Sequence, residues 1–237
     1  PHHSSSRAGL VGGGTPVRPG EISLAHNGIL FLDELAEFSP STLQGIRQPM
    51  ETGEIVITRA DGNITLPARF NLIAASNPCP CGFIGDTERP CTCSLSKVHH
   101  YQNRIGGPLM DRVDLHIDVG RVKPREVLSA GSGLSSDEMR EGVIRARVFQ
   151  DWRNENELGR RKKRRSSQEL MEECKFSVQD REFFEKSATA YHMSGRAIVR
   201  TLAVARTIAD MNESEHVTRE NICEALTFRL REGVGML

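Results

Sequence analysis

A short apolar run, Ile29-Leu30-Phe31-Leu32, ends directly in two acids, Asp33 and Glu34. An uninterrupted apolar run of this length predicts a buried strand, as found in parallel sheets. A second run, from Phe70 to Ala75, predicts another buried strand, and Asn77 lies just past its end. Each predicted strand therefore carries polar side chains at its carboxyl end.

Further elements are predicted between and after these strands. Ser39 and Pro40 are typical of the start of a helix, which extends to about residue 51. The turn residues Asp61-Gly62-Asn63 predict a β-hairpin with strands over 54–60 and 64–68. A helix over 97–104 and a third strand over 115–119 complete this α/β pattern.

The second half of the chain has a different, helical composition. Residues 121–134 are rich in Lys, Pro, Gly and Ser, and Ser136 is the expected cap of a helix over 137–154. Beyond the six bases of residues 160–165, helices are expected over 168–174, 178–192, 195–211 and 218–230. This order predicts an α/β domain over 1–120, a linker helix and basic run over 121–165, and an α-helical lid domain over 166–237.

The overall charge and hydropathy indicate which kinds of partner and location to expect. Lys and Arg together number 31, as do Asp and Glu, so the whole molecule presents no net field to a polyanion. The sequence contains no run of about 18 apolar residues, and its first residues lack the pattern of a secretion signal. We therefore expect a soluble cytoplasmic protein without a membrane partner.

The acid pair after the first strand has the composition that phosphoryl transfer requires. That reaction needs a divalent cation to neutralise charge and a group that positions the attacking water. Asp33 is the candidate ligand for Mg²⁺, and Glu34 is the candidate for polarising the water. Acidic pairs also end ordinary strands, so the pattern alone leaves both interpretations open.

Three segments resemble one family of ATPases. They are PHHSSSRAGLVGGGTPVRPGEISLAHNGILFLDELAE, ARFNLIAASNPCPCG and GPLMDRVDLHID, and they look like the ComM/YifB branch of the magnesium-chelatase-like AAA+ ATPases. The resemblance implies a partial AAA+ P-loop NTPase core with a parallel sheet and an inserted β-hairpin, followed by the lid, with ATP and Mg²⁺ as cofactors. In that family Asp33 and Glu34 would be the Walker B pair, and Asn77 would be the sensor that orients the lytic water. The resemblance also implies that residues 2–6 are native sequence rather than an affinity tag.

One motif of that family is missing from the sequence. The 237 residues contain no G-x-x-x-x-G-K-[ST], and the cluster Gly12-Gly13-Gly14 lacks the Lys and the Ser or Thr that contact phosphates and Mg²⁺. The resemblance places this loop ahead of Pro1. We therefore expect this fragment to bind ATP weakly or not at all and to be inactive as an ATPase alone.

The resemblance also assigns roles to arginines. Arg112, in the GPLMDR segment, would be an arginine finger that reaches the active site of a neighbouring subunit; the alternative is an ion pair with Asp111 or Asp114. Arg196 best fits the second sensor of the family, with Arg200 one turn later as the other candidate. The alternative for these two, together with Arg206, is a solvated helix face.

Four of the six cysteines are clustered and suggest a metal site. Cys79, Cys81, Cys91 and Cys93 form two C-x-C pairs around a loop that contains two glycines and a proline. Four thiolates at this spacing can close a tetrahedral site around Zn²⁺. Free thiols and an artefactual disulfide are the alternatives. A closed site of four sulfurs leaves no open position, so we predict a structural zinc.

The expected partners follow from the resemblance and from local charge. The family is known for a hairpin that points into the central pore of a ring, and here Arg59 and Asn63 near its tip are candidates for contacting a DNA backbone, or else the hairpin only packs. The basic run 160–165 would contact phosphates or be a solvated linker.

Two classes of function therefore remain, with one dissenting possibility. The first is a homo-oligomeric, ring-forming ATP-driven motor, expected to be a hexamer, that translocates on or branch-migrates DNA. The second is a magnesium-chelatase-type ATPase subunit that remodels a protein partner for metal insertion. The dissenting class is a catalytically dead scaffold that carries zinc.

Overall fold

The computed structural model describes residues 5–59, 62–86, 88–122, 133–158 and 166–229. The chain forms two compact units, Pro1–Val113 and Asp114–Leu237. This boundary lies ahead of the predicted one after residue 120. Within the second unit the amide of His116 donates to the carbonyl of Phe228 at 2.7 Å, so the chain just after the boundary is already tied to a helix.

The first unit combines short helices with three two-stranded sheets among its described residues. Its core is formed by buried side chains that include Leu10, Phe38 and Ile46, each of which contributes about 1.5–3 kcal/mol on burial. In chain order the elements are α1 (Arg7–Val11), β1 (Gly12–Gly13), β2 (Arg18–Pro19), α2 (Glu21–Leu24), β3 (Ile29–Leu32), a 3-10 helix (Leu35–Glu37), α3 (Pro40–Thr52), β4 (Glu54–Arg59), β5 (Gly62–Pro67), β6 (Asn71–Ala74), α4 (Leu95–Asn103) and α5 (Gly107–Met110).

The longest helix of this unit, α3, forms where the sequence predicts it. The Ser39 hydroxyl accepts a hydrogen bond from the amide of Thr42, and Pro40 occupies the first turn, where a missing N–H is harmless. Gly53 ends the helix in a left-handed conformation with φ of 72°. Leu43 and Ile46 are buried, so the helix presents one face to the core and the other to solvent.

The two apolar runs form parallel strands, but they are not fully buried. Strand β3 pairs in parallel with β6. Leu30 and Leu32 lie in the core, whereas Ile29 is 61% and Phe31 50% exposed. The prediction of fully buried strands is therefore wrong, because the described part of the chain covers only one face of this sheet.

The predicted hairpin is present in a different register. Strands β4 and β5 are antiparallel, with Thr58 opposite Asn63 and Arg59 opposite Gly62. The expectation that residues 61–63 form the turn is therefore wrong, because Gly62 and Asn63 belong to the second strand. Gly62 begins that strand with a φ of 139°, which a glycine adopts without strain. The connecting residues 60 and 61 lie outside the described residues.

The second unit is helical and confirms the predicted order of helices. A core that includes Leu170, Phe184, Leu202 and Ile222 holds it together. Its elements are α6 (Ser136–Leu158), α7 (Ser167–Cys174), α8 (Val178–Ala190), α9 (Gly195–Met211) and α10 (Arg219–Thr227).

Two predictions at the start of this unit need correction. Ser135 rather than Ser136 caps α6: its hydroxyl accepts from the amide of Glu138 at 3.2 Å, and the Glu138 carboxylate accepts from the Ser135 amide at 2.7 Å. The segment 115–119 forms no strand within the described residues. It lies in a unit of helices, where no neighbouring strand is available to it, and Ile117 is 66% exposed.

The fold class is confirmed as a mixed α/β architecture with a parallel sheet and a helical second part, as expected for a partial AAA+ core with a helical domain. None of the described helices combines the length and the apolar character needed to cross a bilayer. The basic run 160–165 and most of the predicted linker, residues 123–132, lie outside the described residues.

Candidate functional site

The carboxyl ends of the two parallel strands lie side by side. Because Leu32 is directly opposite Ala74, Asp33 and Glu34 leave the sheet at the same edge as the segment that carries Asn77. Asp33, Glu34 and Asn77 are all exposed. The structure therefore brings them to one solvent-accessible edge, which is where ligands bind in open parallel sheets.

The backbone turns sharply at Glu34. This residue has φ of 51° and ψ of 48°, a left-handed conformation that costs a non-glycine residue about 1 kcal/mol or more. Asp33 Oδ1 accepts a hydrogen bond from the Glu34 amide at 2.9 Å, and the amide of Leu35 donates to the carbonyl of Ala75 at 2.9 Å. Such conformations concentrate at functional sites, so the bend supports a functional interpretation of the acid pair.

The segment that carries Asn77 is fixed through α4. The Ser76 hydroxyl donates to the Asn77 carbonyl at 3.2 Å, and the side-chain amide of Gln102 donates to the carbonyl of Pro78 at 2.9 Å. Burial raises the pKa of Tyr101 on the same helix, and its hydrogen bond with Ser76 opposes that rise. The backbone beside Asn77 is thus anchored while its side chain stays accessible.

The four clustered cysteines converge as the sequence spacing suggests. All four sulfurs lie within 4.8 Å of one another. Three of the distances are 3.4 Å (Cys79 to Cys81), 3.5 Å (Cys81 to Cys91) and 3.7 Å (Cys79 to Cys91). Tetrahedral zinc with ~2.3 Å bonds to sulfur requires sulfurs about 3.8 Å apart, whereas a disulfide requires ~2.05 Å. The donor set therefore fits Zn²⁺ better than a disulfide.

Main-chain hydrogen bonds shift the pKa values of the clustered thiols. A hydrogen bond from the main chain of Phe83 is the largest effect that lowers the pKa of Cys81 to about 5. At Cys91 the hydrogen bond from the main chain of Cys93 lowers the pKa, but burial and hydrogen bonds with neighbouring thiols outweigh it and raise the pKa to about 12. The main-chain hydrogen bonds around Cys81 therefore favour its thiolate, which is the form that binds zinc.

Arg112 lies just after α5 and is nearly buried, with a side chain 11% exposed. Its guanidinium pairs with the carboxylate of Glu51 at 2.7 Å and donates to the carbonyl of Pro108. The sequence had suggested Asp111 or Asp114 as ion-pair partners, and Glu51 is a partner that it did not suggest. The proposed finger is thus held within its own chain.

The candidate lid arginines lie on α9, which Ser194 caps by accepting a hydrogen bond from the Ala197 amide at 3.2 Å. Arg196 is exposed in the first turn, whereas Arg200 is half-buried and pairs with Asp114. Arg206 is 1% exposed. A solvated face of all three arginines is therefore excluded.

The hairpin residues predicted to contact DNA differ in their surroundings. The Arg59 guanidinium donates to the carbonyl of Gly14 and to the Thr15 hydroxyl, the latter at 3.2 Å. Asn63 is exposed beside the end of the hairpin. Arg59 thus connects the hairpin to the glycine-rich segment, and Asn63 remains accessible.

Sequence reasoning missed the acid that holds the proposed finger and a second arginine beside it. Arg47 and Glu51 are four residues apart on α3, a spacing that places them on one helix face. That spacing was a usable signal, although nothing local connects it to Arg112. The reasoning also missed the buried ion pairs of Asp210 with Arg153 and Arg206.

Two family profiles match the chain. The family described as magnesium chelatase, subunit ChlI matches residues 1–127, and the C-terminal part of magnesium chelatase subunit ChlI matches residues 133–229. Together they extend over both compact units.

Individual relatives are similar over nearly the whole chain. Competence protein ComM of Haemophilus influenzae is 42% identical over 97% of this chain and 44% of its own length. YifB of Escherichia coli is 41% identical with the same coverage. A more distant match, DNA replication licensing factor mcm6 of Dictyostelium discoideum, is 33% identical over 47% of this chain and 13% of its own length. The chain thus spans less than half the length of the ComM and YifB relatives.

Proposed function

Because this chain belongs to the family of magnesium chelatase subunit ChlI, we propose that it is part of an ATP-driven AAA+ motor that assembles as a ring and acts on DNA. The observation that carries the proposal is the sheet edge where Asp33, Glu34 and Asn77 meet beside a left-handed backbone turn. These are the side-chain types that phosphoryl transfer needs at the end of a strand.

Each residue of this edge has a separate role in the proposed hydrolysis. Asp33 would hold the Mg²⁺ shell, Glu34 would polarise the attacking water, and Asn77 would orient that water. The metal, when bound, neutralises charge on the phosphates. The sequence lacks the Gly-rich Lys-bearing loop, so the phosphates would also need donors from outside these 237 residues. Arg196, exposed at the start of α9, is the proposed second sensor, with Arg200 as the other candidate.

The test of this proposal is hydrolysis by a protein in which a phosphate-binding loop accompanies this chain. Glu34→Gln should retain ATP binding and lose turnover by orders of magnitude, because the water is no longer polarised. Glu21→Gln, an exposed acid of the same unit, is the matched control and should hydrolyse ATP normally. Equal turnover in the two variants would remove Glu34 from the mechanism.

The ring is tested by mixing two inactive variants. If Arg112 acts on the neighbouring site, Arg112→Ala should bind ATP and fail to turn over. Mixing it with Glu34→Gln creates interfaces with both residues intact, so activity should return if adjacent sites fire independently. For this role Arg112 would have to leave Glu51, its ion-pair partner within the chain. Unchanged turnover of Arg112→Ala in an assembled ring would contradict the role.

DNA is the favoured client because two similar proteins carry the names competence protein and DNA replication licensing factor. The second candidate, remodelling of a protein for metal insertion, is favoured by the family profile itself. DNA-stimulated hydrolysis that weakens with salt would support the first, since phosphate contacts are salt-dependent. Asn63→Ala should reduce this stimulation, with Asn103→Ala, the same substitution at an exposed residue of α4, as control. Hydrolysis indifferent to DNA would support the second.

We also propose a structural zinc at Cys79, Cys81, Cys91 and Cys93, supported by the convergence of their sulfurs. Metal analysis of reduced protein purified without chelator should find close to one zinc per chain. Cys81→Ser should lose it, and Cys223→Ser, at an exposed cysteine outside the cluster, should keep it. Freshly reduced protein without zinc would contradict the proposal.

A further inference from the structure

A pocket of about 370 Å³, called the α4 pocket below, lies between α4 and the segment that carries the first cysteine pair. The described residues that line it include no acid and come from one helix, its end and one proline: Pro80, Ser96, Lys97, His100, Tyr101 and Arg104. Asp33, Glu34 and Asn77 do not line it, and neither do Arg59 and Asn63 of the hairpin. The α4 pocket is therefore separate from the proposed hydrolytic edge and from the proposed DNA contacts of the hairpin.

Two parts of the chain give the α4 pocket its shape. Lys97, His100 and Arg104 follow one another at spacings of three and four residues, which places them on one face of α4 and its end. Pro80 supplies the wall outside the helix. Its segment is fixed to α4, because the side-chain amide of Gln102 donates to the Pro78 carbonyl at 2.9 Å. The helix face and the wall are thus held against each other.

The α4 pocket carries one positive charge that no acid balances. Lys97 and His100 are exposed, and within the described part of the chain their side chains make no ion pair or hydrogen bond. Arg104, in contrast, pairs with Glu37 at 3.4 Å. Lysine is protonated near neutral pH, so its charge is available to a ligand. The Ser96 hydroxyl and the imidazole ring add donors without a fixed charge.

The charge and the walls distinguish between anionic ligands. A nucleic acid carries one negative charge per backbone phosphate, which matches one unbalanced cation, whereas a terminal phosphate carries nearly two charges near neutral pH. Tyr101 is 6% exposed, so its ring is not accessible for stacking on a base, as aromatic side chains do in sites that hold single strands through their bases. The α4 pocket therefore fits a backbone phosphate better than a base or a terminal phosphate.

We propose that the α4 pocket holds a backbone phosphate of DNA, with Lys97 as the charged contact and Ser96, His100 and Arg104 as further donors. The inference rests on the proposed function for the choice of DNA as the client. What it adds is a second place of contact, outside the hairpin and on the helix that follows the cysteine cluster. A contact of this kind fixes the position of a strand and does not read its sequence.

The α4 pocket is tested on this chain by fluorescence anisotropy with a labelled single-stranded oligonucleotide at low salt. Lys97→Gln should weaken binding about tenfold, as expected for the loss of one charge-assisted contact. It should also lower the slope of log affinity against log salt by about 0.7, the share of one phosphate in a single strand. Both changes should be the same for oligonucleotides of different sequence, because the backbone is what is bound.

Two variants serve as controls for Lys97→Gln. Lys186→Gln makes the same substitution at an exposed lysine of α8, and Asn103→Ala lies on α4 outside the pocket. Both should bind like the natural chain, and thermal unfolding identifies any variant that fails to fold. No binding by the natural chain, or an affinity and salt slope that a folded Lys97→Gln leaves unchanged, would overturn the proposal.

Glu37→Gln gives a result that a merely structural role would not produce. Because it releases Arg104 from its ion pair, it should tighten DNA binding about threefold, the opposite sign to Lys97→Gln. Glu182→Gln changes the net charge equally and breaks an exposed pair with Lys186 on α8, so it is the matched control and should leave binding unchanged. Weaker or unchanged binding by a folded Glu37→Gln contradicts the proposal.

Competition separates a DNA backbone from other sources of negative charge. Unlabelled DNA should displace the labelled oligonucleotide at a lower charge concentration than polyglutamate or tripolyphosphate does. Equal displacement by polyglutamate would mean that the α4 pocket takes an acidic protein. Equal displacement by tripolyphosphate would mean that it takes a free phosphate. Either result overturns the proposal.

The α4 pocket and the proposed function can fail separately. If Lys97→Gln loses DNA affinity as expected while hydrolysis by the longer protein is indifferent to DNA, the pocket stands and the DNA motor fails. If DNA stimulates hydrolysis while Lys97→Gln binds DNA like the natural chain, the proposed function stands and the pocket fails.

Discussion

The two units of this chain use arginine in opposite ways. In the helical unit, Arg153 and Arg206 meet Glu173 and Asp210, and all four side chains are at most 3% exposed. In the first unit, a pocket open to solvent is lined by three arginines and one acid: Arg7, Arg47, Arg112 and Glu51. Balanced and buried charge fixes helices to one another, whereas unbalanced and accessible charge is available to a ligand.

The balanced cluster is also tied to the backbone. Arg206 donates to the carbonyl of Glu215 at 2.7 Å, and the Arg153 guanidinium makes two hydrogen bonds to the Asp210 carboxylate, at 3.1 and 3.2 Å. Burial lowers the pKa of Arg206, and the nearby Asp210 opposes that effect. The cluster thus joins α6, α7 and α9 through charges that water does not reach.

The largest expected effect is the protection of a thiol beside the buried cluster. Cys174 is fully buried, and burial raises its pKa to about 12. Alkylation at pH 8 should therefore be roughly a thousandfold or more slower than at the exposed Cys223, because it requires opening of the unit. Peptide-resolved mass spectrometry over time measures both rates. Comparable rates would show that the cluster is open, and the contrast between the units would fail.

The next effect is on the stability of the helical unit. Asp210→Asn removes the carboxylate that Arg153 and Arg206 share, and loss of one partner of a buried ion pair costs about 3–5 kcal/mol. Denaturant unfolding followed by helical circular dichroism should show a lower midpoint. A loss below about 1 kcal/mol would show that solvent compensates the charges.

A smaller loss is expected for the corresponding change in the first unit. Arg112→Gln breaks the pair with Glu51, whose side chain is 35% exposed. Because water can solvate that carboxylate, the loss should be about 1 kcal/mol. Unfolding measured as for Asp210→Asn gives a direct comparison. Equal losses in both units would mean that the pocket arginines are structural, and the ligand-binding interpretation would lose its basis.

Local signals predicted most of the elements. Ser39 and Pro40 mark the start of α3 as predicted, and the Ser39 hydroxyl accepts the hydrogen bond expected at a helix start. The cap of α4, Ser94, was not predicted. The positions of Asp33, Glu34 and Asn77 past strand ends were predicted correctly, because each residue follows its apolar run within a few positions of the sequence. The cysteine cluster was predictable for the same reason, since its two pairs are close in sequence.

What the sequence did not predict depends on contacts between distant residues. The partner of Arg112 lies on α3, in a different segment of the chain, and the partner of Arg153 lies 57 residues away. The left-handed turn at Glu34 is held in part from the neighbouring segment, where the Ala75 carbonyl accepts from the Leu35 amide. The hairpin register shifted because Gly62 tolerates a positive φ inside the strand.

The smallest expected loss of stability is at an exposed ion pair, which serves as the reference for the buried and half-buried pairs. Arg181 and Glu185 are four residues apart on α8, with nitrogen and oxygen 3.0 Å apart and both side chains about 60% exposed. Pairs of this kind contribute about 0.3–0.5 kcal/mol, because water and side-chain entropy offset most of the attraction. Arg181→Gln should therefore lower the unfolding midpoint barely above error, and added salt should abolish the difference. It changes the same residue type by the same substitution as Arg112→Gln, but in the unit that carries the buried cluster. If Arg181→Gln lowered the free energy of unfolding as much as Asp210→Asn does, burial would not explain the strength of the cluster. The two units would then differ only in the number of acids that face their arginines.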